Sequence, residues 1–191
     1  MTSDEVLNVF RAAGALLEGH FVYTSGRHGR QFLQAARVLQ HPNHTETLCR
    51  GIAETYADKA IDLVVGPATG GIILAYETAR HLNCRAAFTE KDGEGGMALK
   101  RGFALKPGTR VLVVEDIITT GGSVQKTVDH LRARGAEVVG VSVLIDRSAG
   151  EAKFDVPFTP LATIQMQSWS PNACDLCNSG DPLIEPDDLL G

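Results

Sequence analysis

A buried-looking apolar run, Val111 to Val114, leads directly into two neighbouring carboxylates, Glu115 and Asp116. After two more apolar residues the chain continues as Thr-Thr-Gly-Gly-Ser. The run predicts a strand, and the small polar residues predict a turn into the N-terminus of a helix. Backbone N–H groups, the helix dipole and hydroxyl groups at such a turn favour phosphate binding. The predicted phosphate-binding residues are Ile117, Ile118, Thr119, Thr120, Gly121, Gly122 and Ser123.

The two carboxylates point to a second ligand group beside the phosphate. Like charges repel, so Glu115 and Asp116 suit the hydroxyls of a sugar, or a metal ion, rather than the phosphate itself. A phosphorylated sugar meets both demands. The alternative is an ordinary strand–helix turn with threonine caps, in which two adjacent acids serve no purpose. The segment is neither GxxxxGK[ST] nor GxGxxG, which disfavours nucleoside triphosphate and dinucleotide loops.

The elements that must position these residues alternate along the chain. Short β-branched runs predict strands at 61–66, 86–89, 111–114 and 137–145, and helical periodicity predicts helices at 45–59, 70–82 and 124–134. This alternation is typical of an α/β fold with a central parallel sheet flanked by helices. Ligands of such sheets bind beyond the carboxyl ends of the strands, which here means the loops at 66–71 and 115–123 and the pair Asp146-Arg147.

The two ends of the chain have a different character. Thr2 and Glu5 form a predicted capping box in front of an amphipathic helix that ends near Gly14. Two short extended segments then surround a basic turn at 24–30. Five of the eight prolines follow residue 155, which predicts an irregular or short-stranded C-terminal tail over 151–191.

Composition excludes several classes of protein. A chain of 191 residues, 43% of them hydrophobic, predicts one globular domain over 1–191. No apolar run approaches the ~18 residues of a membrane helix, and the acidic N-terminus is unlike a signal peptide, so we expect a cytoplasmic protein. The net charge of -5 disfavours a nucleic-acid partner. Residues 151–191 carry seven acids and one base, so the acidity belongs to the tail, and 1–150 is near neutral.

The four cysteines do not predict a disulfide framework in a chain of this kind. Cys174 and Cys177 have the spacing of half a zinc site, but no second CxxC or HxxxH follows them. A metal shared across a dimer is one interpretation. The preferred one is a pair of reduced thiols in a late turn.

Taken together, these motifs resemble those of a known family. The segment 113–123 resembles the phosphoribosyl-pyrophosphate signature of the type I phosphoribosyltransferases, and the rest narrows the resemblance to orotate phosphoribosyltransferase. Gly19-His-Phe, Thr24-Ser-Gly-Arg-His28 and Phe32-Leu-Gln34 resemble its N-terminal hood, and the resemblance implies that residues 1–40 form such a hood over the core. Gly66-Pro-Ala-Thr-Gly-Gly-Ile72 resembles its pyrophosphate loop. The similarity covers nearly the whole chain, with the motifs in the expected order.

The resemblance implies a role for each matching position. Glu115 and Asp116 would hold the ribose hydroxyls, Thr119 to Ser123 would bind the 5-phosphate, and Arg147 would pair with the orotate carboxylate. The backbone at Phe32 and Leu33, with Thr119, would recognise the pyrimidine. Thr69, Gly70 and His28 would contact phosphoribosyl pyrophosphate. In the enterobacterial members a lysine precedes the second glycine of the pyrophosphate loop, where this chain has Gly70, and another lysine stands in place of His28.

The segment 89–102 resembles the mobile catalytic loop of the same family. Its charged, glycine-rich middle, Glu90-Lys-Asp-Gly-Glu-Gly-Gly96, contains almost nothing that could join a core, so we expect it to move and to close as a lid. Lys91 is the predicted catalytic residue beside Asp116, with Lys100 and Arg101 assisting at the pyrophosphate. The enterobacterial loop is longer and includes a histidine, which this one lacks.

The reaction implied is transfer of ribose 5-phosphate from phosphoribosyl pyrophosphate to orotate in pyrimidine biosynthesis. The expected cofactor is Mg²⁺, bound mainly through the substrate with no protein ligand assigned, and the expected assembly is a homodimer that shares its lids. The α/β core is expected at 60–147. Two alternatives stay open: a type I transferase for another base, and a non-catalytic regulator that senses phosphoribosyl pyrophosphate.

Overall fold

A computed structural model describes residues 1–23 and 25–185 of the chain. Thr24 in the basic turn, and the last part of the tail at 186–191, lie outside the described residues. No helix in the described ranges is long and apolar enough to span a bilayer. The elements are α1 (Ser3–Ala12), β1 (Leu16–Val22), β2 (His28–Leu33), α2 (Ala36–Leu39), α3 (Pro42–Tyr56), β3 (Leu63–Pro67), α4 (Gly70–Leu82), β4 (Arg85–Lys91), β5 (Met97–Leu99), β6 (Arg110–Ile118), α5 (Gly122–Ala133), β7 (Glu137–Asp146), β8 (Phe158–Thr163), β9 (Ser168–Trp169) and α6 (Asp175–Ser179).

Six strands form the central sheet, in the order β5-β4-β3-β6-β7-β8. Strands β4, β3, β6, β7 and β8 are parallel to one another, and β5 at the edge is antiparallel to β4. The predicted parallel α/β sheet is confirmed, with one antiparallel edge strand that the sequence did not reveal. Three residues are too few for a periodic pattern, which explains the omission.

Alternation along the strands divides the core into two layers. Leu112 and Val114 of β6 face the layer built with α1, α3 and α4, whereas Val111 and Val113 face the layer built with α5. All four side chains are fully buried. A strand that is apolar on both faces can only be stable between two helical layers, and this explains why β6 appears in the sequence as a continuous apolar run.

The sequence patterns predicted most helix and strand boundaries to within a few residues. The capping box of α1 is confirmed: the Thr2 amide donates to Glu5 Oε2 at 2.7 Å, and the Glu5 amide donates to Thr2 Oγ1 at 3.3 Å. Helix α4 has its predicted bounds. Helix α3 begins at Pro42 rather than at residue 45, because proline is well suited to the first turn of a helix. Strand β6 continues through the carboxylates to Ile118 instead of ending before them.

A second, three-stranded sheet forms the hood, in the order β1-β2-β9. The two extended segments predicted around the basic turn are confirmed as the antiparallel pair β1 and β2. The tail, which the sequence predicts to be irregular or short-stranded, contains two short strands and the short helix α6 in its described part. Strand β8 extends the central sheet, and β9 pairs with β2, placing Trp169 opposite His28 and Ser168 opposite Gly29. A proline in an edge strand removes few hydrogen bonds from a sheet, so a proline-rich segment can still form the strands seen here.

Candidate active site

Four neighbouring strands end at the same edge of the central sheet, in the order β4, β3, β6, β7. The predicted lid follows β4, the predicted pyrophosphate loop follows β3, the phosphate loop follows β6, and Arg147 follows β7. The sheet therefore brings the four separately predicted segments together in that spatial order. This edge is also where ligands bind in open α/β sheets.

The phosphate loop is an open turn into α5. A cavity of about 110 Å³ is lined by Glu115 and by residues 117–124. Gly121, the residue before α5, has a φ of +74°, and a Cβ there would also contact the Phe154 ring, so glycine is required. The exposed hydroxyls of Thr119, Thr120 and Ser123 and the first amides of α5 surround this cavity. The loop has the donors that a phosphate group needs.

The two carboxyl groups near the end of β6 keep their protons to a higher pH than ordinary acids do, because their pKa values are raised. Burial, and then the neighbouring Asp116 carboxylate, raise the pKa of Glu115 to about 8. Burial also raises the pKa of Asp116. Asp116 Oδ1 accepts a hydrogen bond from the Ile117 amide at 2.6 Å, which orients its carboxylate. The pair is held ready to accept hydrogen bonds from hydroxyl groups, at a cost in stability that is typical of functional sites.

The pyrophosphate loop approaches these carboxylates closely. A Cβ on Gly70 would overlap the Asp116 carboxylate, and one on Gly66 would overlap the Gly71 backbone. Thr69 is exposed and precedes α4, and the Ala68–Thr69 peptide bond is cis. The glycines therefore let backbone occupy the space beside the acids, which leaves no room for a side chain at position 70.

The lid begins next to this loop. The Ala68 amide donates to the Thr89 carbonyl at 2.8 Å, two residues before Lys91. Strands β4 and β5 form a hairpin in which Lys91 is opposite Met97, and Asp92 Oδ1 accepts from the Glu94 and Gly96 amides at 2.8 Å. The arms of the predicted loop are thus paired, and its mobility stays a prediction.

The three lid cations differ in their partners. The Lys91 ammonium is exposed and forms no ion pair with a described residue. Lys100 Nζ donates to the Lys91 carbonyl at 2.6 Å, and Arg101 forms two 2.8 Å hydrogen bonds with Glu90. Lys91 is therefore available to an anion without breaking an ion pair, whereas Arg101 must first leave Glu90.

Arg147 lies where the core meets the hood. Its amide donates to the Ile118 carbonyl at 2.9 Å, and the Asp146 carboxylate accepts from the Ser148 amide at 2.7 Å, which fixes the turn. The guanidinium lies 5.1 Å from the centre of the Tyr23 ring. Its Nε is buried without an acceptor among the described residues, and burial lowers the Arg147 pKa from its usual value. A buried guanidinium nitrogen with no acceptor is suited to an anionic ligand.

The predicted hood residues are placed differently from one another. Phe32 and Leu33 lie in β2 opposite Leu17 and Leu16, with the Leu33 side chain in the core. Their contact with a pyrimidine stays a prediction. His28 is buried, and its Nδ1 lies 3.2 Å from Cys177 Sγ, in a group of side chains separate from the phosphate-loop cavity. Its predicted contact with phosphoribosyl pyrophosphate is not tested by this arrangement.

Two residues near the site were not found from the sequence. Tyr23 covers Arg147, and its hydroxyl donates to the Gln31 carbonyl at 2.6 Å. His130 of α5 accepts the Leu99 amide at 3.1 Å and so anchors one arm of the lid. A single tyrosine after a strand and a single histidine on a helix carry no signal of their own, because only the fold brings them to the site.

Comparisons with known proteins agree with this geometry. Residues 34–176 match the model of the phosphoribosyl transferase domain family. The orotate phosphoribosyltransferase of Desulforamulus reducens is 45% identical over 186 residues, which is 97% of each chain. The solved structure of orotate phosphoribosyltransferase from Aeropyrum pernix has a TM-score of 0.70 at 27% identity, covering 83% of this chain and 93% of that one.

The fold alone does not distinguish between bases. The adenine phosphoribosyltransferase of Rhodothermus marinus has a TM-score of 0.65 at 25% identity, covering 84% of this chain and 99% of that one. The sequence relative is what separates these groups, because it is an orotate phosphoribosyltransferase that is 45% identical over 97% of this chain. The chain belongs to the phosphoribosyltransferase family and, within it, to the orotate phosphoribosyltransferases.

Proposed function

We propose that this protein transfers ribose 5-phosphate from phosphoribosyl pyrophosphate to N1 of orotate, giving orotidine 5′-phosphate and pyrophosphate in pyrimidine biosynthesis. The observation that carries the proposal is the order of the loops along the sheet edge. Along this edge the lid and the pyrophosphate loop come first, the phosphate and ribose loop comes next, and Arg147 comes last. The leaving pyrophosphate, the sugar and the base follow one another in the same order in the reacting pair. The family to which the chain belongs supports the same reaction.

The phosphate loop holds the sugar end. The 5-phosphate binds between Thr119 and Ser123, with the first amides of α5 donating to its oxygens. The ribose 2′ and 3′ hydroxyls donate to Glu115 and Asp116. Binding there lets both acids ionise, because hydroxyl donors stabilise their charged forms. The ribose is thereby fixed with C1 facing the orotate side.

Arg147 recognises the base. The orotate carboxylate accepts hydrogen bonds from its guanidinium fork, including the Nε that has no acceptor among the described residues. Tyr23 covers the guanidinium from the hood and keeps the pair out of water. The backbone of Phe32 and Leu33 reads the pyrimidine edge. A neutral base cannot replace a carboxylate at this position, which favours orotate over uracil or a purine.

The lid and the pyrophosphate loop handle the leaving group. Lys91 reaches the pyrophosphate on closure, while Thr69 and the backbone at Gly70 contact it from β3. Lys100 and Arg101 assist once they have left the Lys91 carbonyl and Glu90. The Glu115 and Asp116 carboxylates are hard oxygen donors compatible with a Mg²⁺ ion that would enter mainly with the substrate. Such an ion would supply further neutralisation of the leaving charge.

Catalysis then depends on position and charge. The C1–pyrophosphate bond breaks as positive charge develops at C1, as in glycoside cleavage, and orotate N1 attacks from the opposite face with inversion. Lys91 stabilises the charge that appears on the pyrophosphate, and the closed lid excludes water, which would otherwise attack C1. No side chain needs to form a covalent bond with the substrate.

The assembly and location are part of the same proposal. The exposed face of α4 presents Ile73 and Tyr76, which are 45% and 69% exposed, beside Pro42 of α3. Large apolar side chains of this kind favour a subunit interface. A homodimer in the cytoplasm, with each lid serving its partner's site, is the arrangement that we propose.

One assay separates this proposal from its alternatives. Purified protein, Mg²⁺ and phosphoribosyl pyrophosphate are mixed with orotate, uracil, hypoxanthine or adenine, and pyrophosphate release is measured together with orotate absorbance. We expect turnover with orotate alone. Turnover with another base would identify a different transferase, and binding of phosphoribosyl pyrophosphate without turnover of any base would establish the regulator instead.

A further inference from the structure

Four potential metal ligands from three separate segments meet inside the hood. His20 lies in β1, His28 begins β2, and Cys174 and Cys177 surround the first turn of α6. Their ligand atoms all lie within 4.8 Å of one another. We call these four residues the His/Cys cluster. The missing half of the zinc-like spacing at 174–177 is thus supplied by two histidines that precede it by about 150 positions.

Four of the six distances between the ligand atoms match a tetrahedron around one ion. Zn–S bonds of about 2.3 Å and Zn–N bonds of about 2.0 Å place nitrogen pairs roughly 3.3 Å apart and nitrogen–sulfur pairs roughly 3.5 Å apart. His20 Nε2 and His28 Nδ1 are 3.1 Å apart. His20 Nε2 lies 3.5 Å from Cys174 Sγ and 3.7 Å from Cys177 Sγ, and His28 Nδ1 lies 3.2 Å from Cys177 Sγ. Each agrees within a few tenths of an ångström.

The surroundings orient the ligands. His20 Nδ1 lies 2.9 Å from the Asp181 carbonyl, which can only accept, so the proton of His20 is on Nδ1 and the lone pair of Nε2 faces the cluster. A backbone carbonyl on the second nitrogen is the usual support of a metal-bound histidine. His20, His28 and Cys174 are at most 6% exposed, whereas Cys177 is exposed and leaves an entry path.

A hydrogen-bonded cluster without metal is the competing interpretation. His28 Nδ1–H can donate to His20 Nε2, but the buried Cys174 thiol is then left with a weak interaction at best. Partly satisfied buried polar groups destabilise a fold. An ion satisfies all four groups at once, and two thiolates with two imidazoles in a tetrahedral arrangement are the donor set that zinc prefers.

We propose that His20, His28, Cys174 and Cys177 bind one Zn²⁺ ion in a closed structural site that fastens the C-terminal segment to the hood. Binding releases the two thiol protons to solvent and leaves both histidines neutral. All four positions around the ion are taken by protein, so the site is structural and not catalytic.

Within residues 1–23 and 25–185, few other contacts attach the segment that the ion would hold, among them two hydrogen bonds from Arg27 to Ser168 at 2.9 and 2.6 Å. Strand β9 shares only two residue pairs with β2. Beyond α6, the Ile184 amide donates to the His20 carbonyl at 2.7 Å, and the Val22 amide donates to the Ile184 carbonyl at 3.1 Å. Helix α6 has five residues and buries only Leu176. Because Tyr23 directly follows β1, an ion at the cluster also steadies the residue that covers Arg147. This inference does not depend on the proposed reaction.

Metal analysis of the full chain tests the proposal. The protein is purified without chelator and without a histidine tag, and zinc is measured by mass spectrometry. We expect about one zinc per chain, as a closed four-ligand site requires. The Cys177→Ser variant should lose it, whereas Cys84→Ser, which changes a half-buried thiol outside the cluster, should retain it.

Replacement of the metal by Co²⁺ gives a second readout. After zinc is removed with a chelator, added Co²⁺ should produce the strong visible bands of a tetrahedral thiolate complex in the wild type and in Cys84→Ser. This measurement on the wild type remains decisive even if Cys177→Ser does not fold. Wild-type protein without zinc and without these bands, equal metal content in the two variants, or a Cys174–Cys177 disulfide in freshly purified protein would each overturn the proposal.

Discussion

The phosphate loop and the His/Cys cluster are built in opposite ways. The phosphate loop takes its functional groups from nine consecutive residues, 115–123, that pass from the end of β6 into α5. The cluster takes four groups from β1, β2 and the turn at α6, with separations of up to 157 positions. One site is contained in a single strand–turn–helix unit, and the other exists only after two ends of the chain have met.

The difference explains what each region does. A site on one rigid unit of the central sheet can be precise with few tertiary contacts, which suits chemistry. A site that joins distant segments can instead stabilise their association, which suits a structural ion. Arg147 connects the two regions, because it is positioned by β7 of the core and covered by Tyr23 of the hood.

The largest effect on activity is expected from a change in the core site alone. Changing Lys91 to alanine should lower kcat by about 100- to 1,000-fold, because removal of one preorganised electrostatic donor has effects of this size. The melting temperature should stay the same, since Lys91 is exposed. Steady-state kinetics and a thermal scan measure both. Lys106→Ala, an exposed lysine before β6, is the matched control, and a Lys91→Ala kcat within threefold of wild type would remove Lys91 from catalysis.

Arg147 tests the junction between the two regions. The Arg147→Ala variant should lose about 100-fold in kcat/KM for orotate, as expected when one partner of a buried charged pair is removed. Binding of phosphoribosyl pyrophosphate, measured by calorimetry, should be nearly unchanged. Arg147→Lys should recover only part of the loss, because an ammonium lacks the guanidinium fork. Equal weakening of both substrates would mean that Arg147 supports the fold rather than orotate.

Loss of the proposed zinc ion should increase local unfolding of the hood and leave the core unaffected. In Cys177→Ser, hydrogen exchange at the Val22 and Ile184 amides should accelerate by about tenfold or more, because these amides bond across the segment that the ion holds. Amides of β3 and β6 should keep their protection. Uniform acceleration throughout the chain would show instead that the hood and the core unfold together.

The smallest effect concerns the stability of the core site. Because the pKa of Glu115 is raised from 4.5 to about 8, the folded chain holds a proton that the unfolded chain loses, and stability falls as pH rises across this interval. Replacing Glu115 by glutamine removes that loss. The melting temperature should therefore rise by about 2–4 °C at pH 8, equivalent to ~1 kcal/mol, and change little at pH 5. A larger gain at pH 5 than at pH 8 would contradict the assignment.

Much of the core site could be predicted because its signals are local. The apolar run, the paired acids and the Thr-Thr-Gly-Gly-Ser turn are adjacent, and each has one physical explanation. The convergence of the lid, the pyrophosphate loop and Arg147 could be expected as well, since parallel strands end at one edge. The positions and partners of the short strands in the tail could not be predicted, because β8 and β9 are stabilised by their partner strands and not by their own patterns.

The sequence by itself determined the α/β core, the phosphate loop and the family, because strand and helix periods and turn residues act between near neighbours. Tertiary structure alone decided that His20 and His28 complete the half-site at Cys174 and Cys177, that Tyr23 covers Arg147, and that His130 anchors the lid. These contacts join residues far apart in the chain, and only the packing of two sheets and their connecting segments brings such residues within bonding distance.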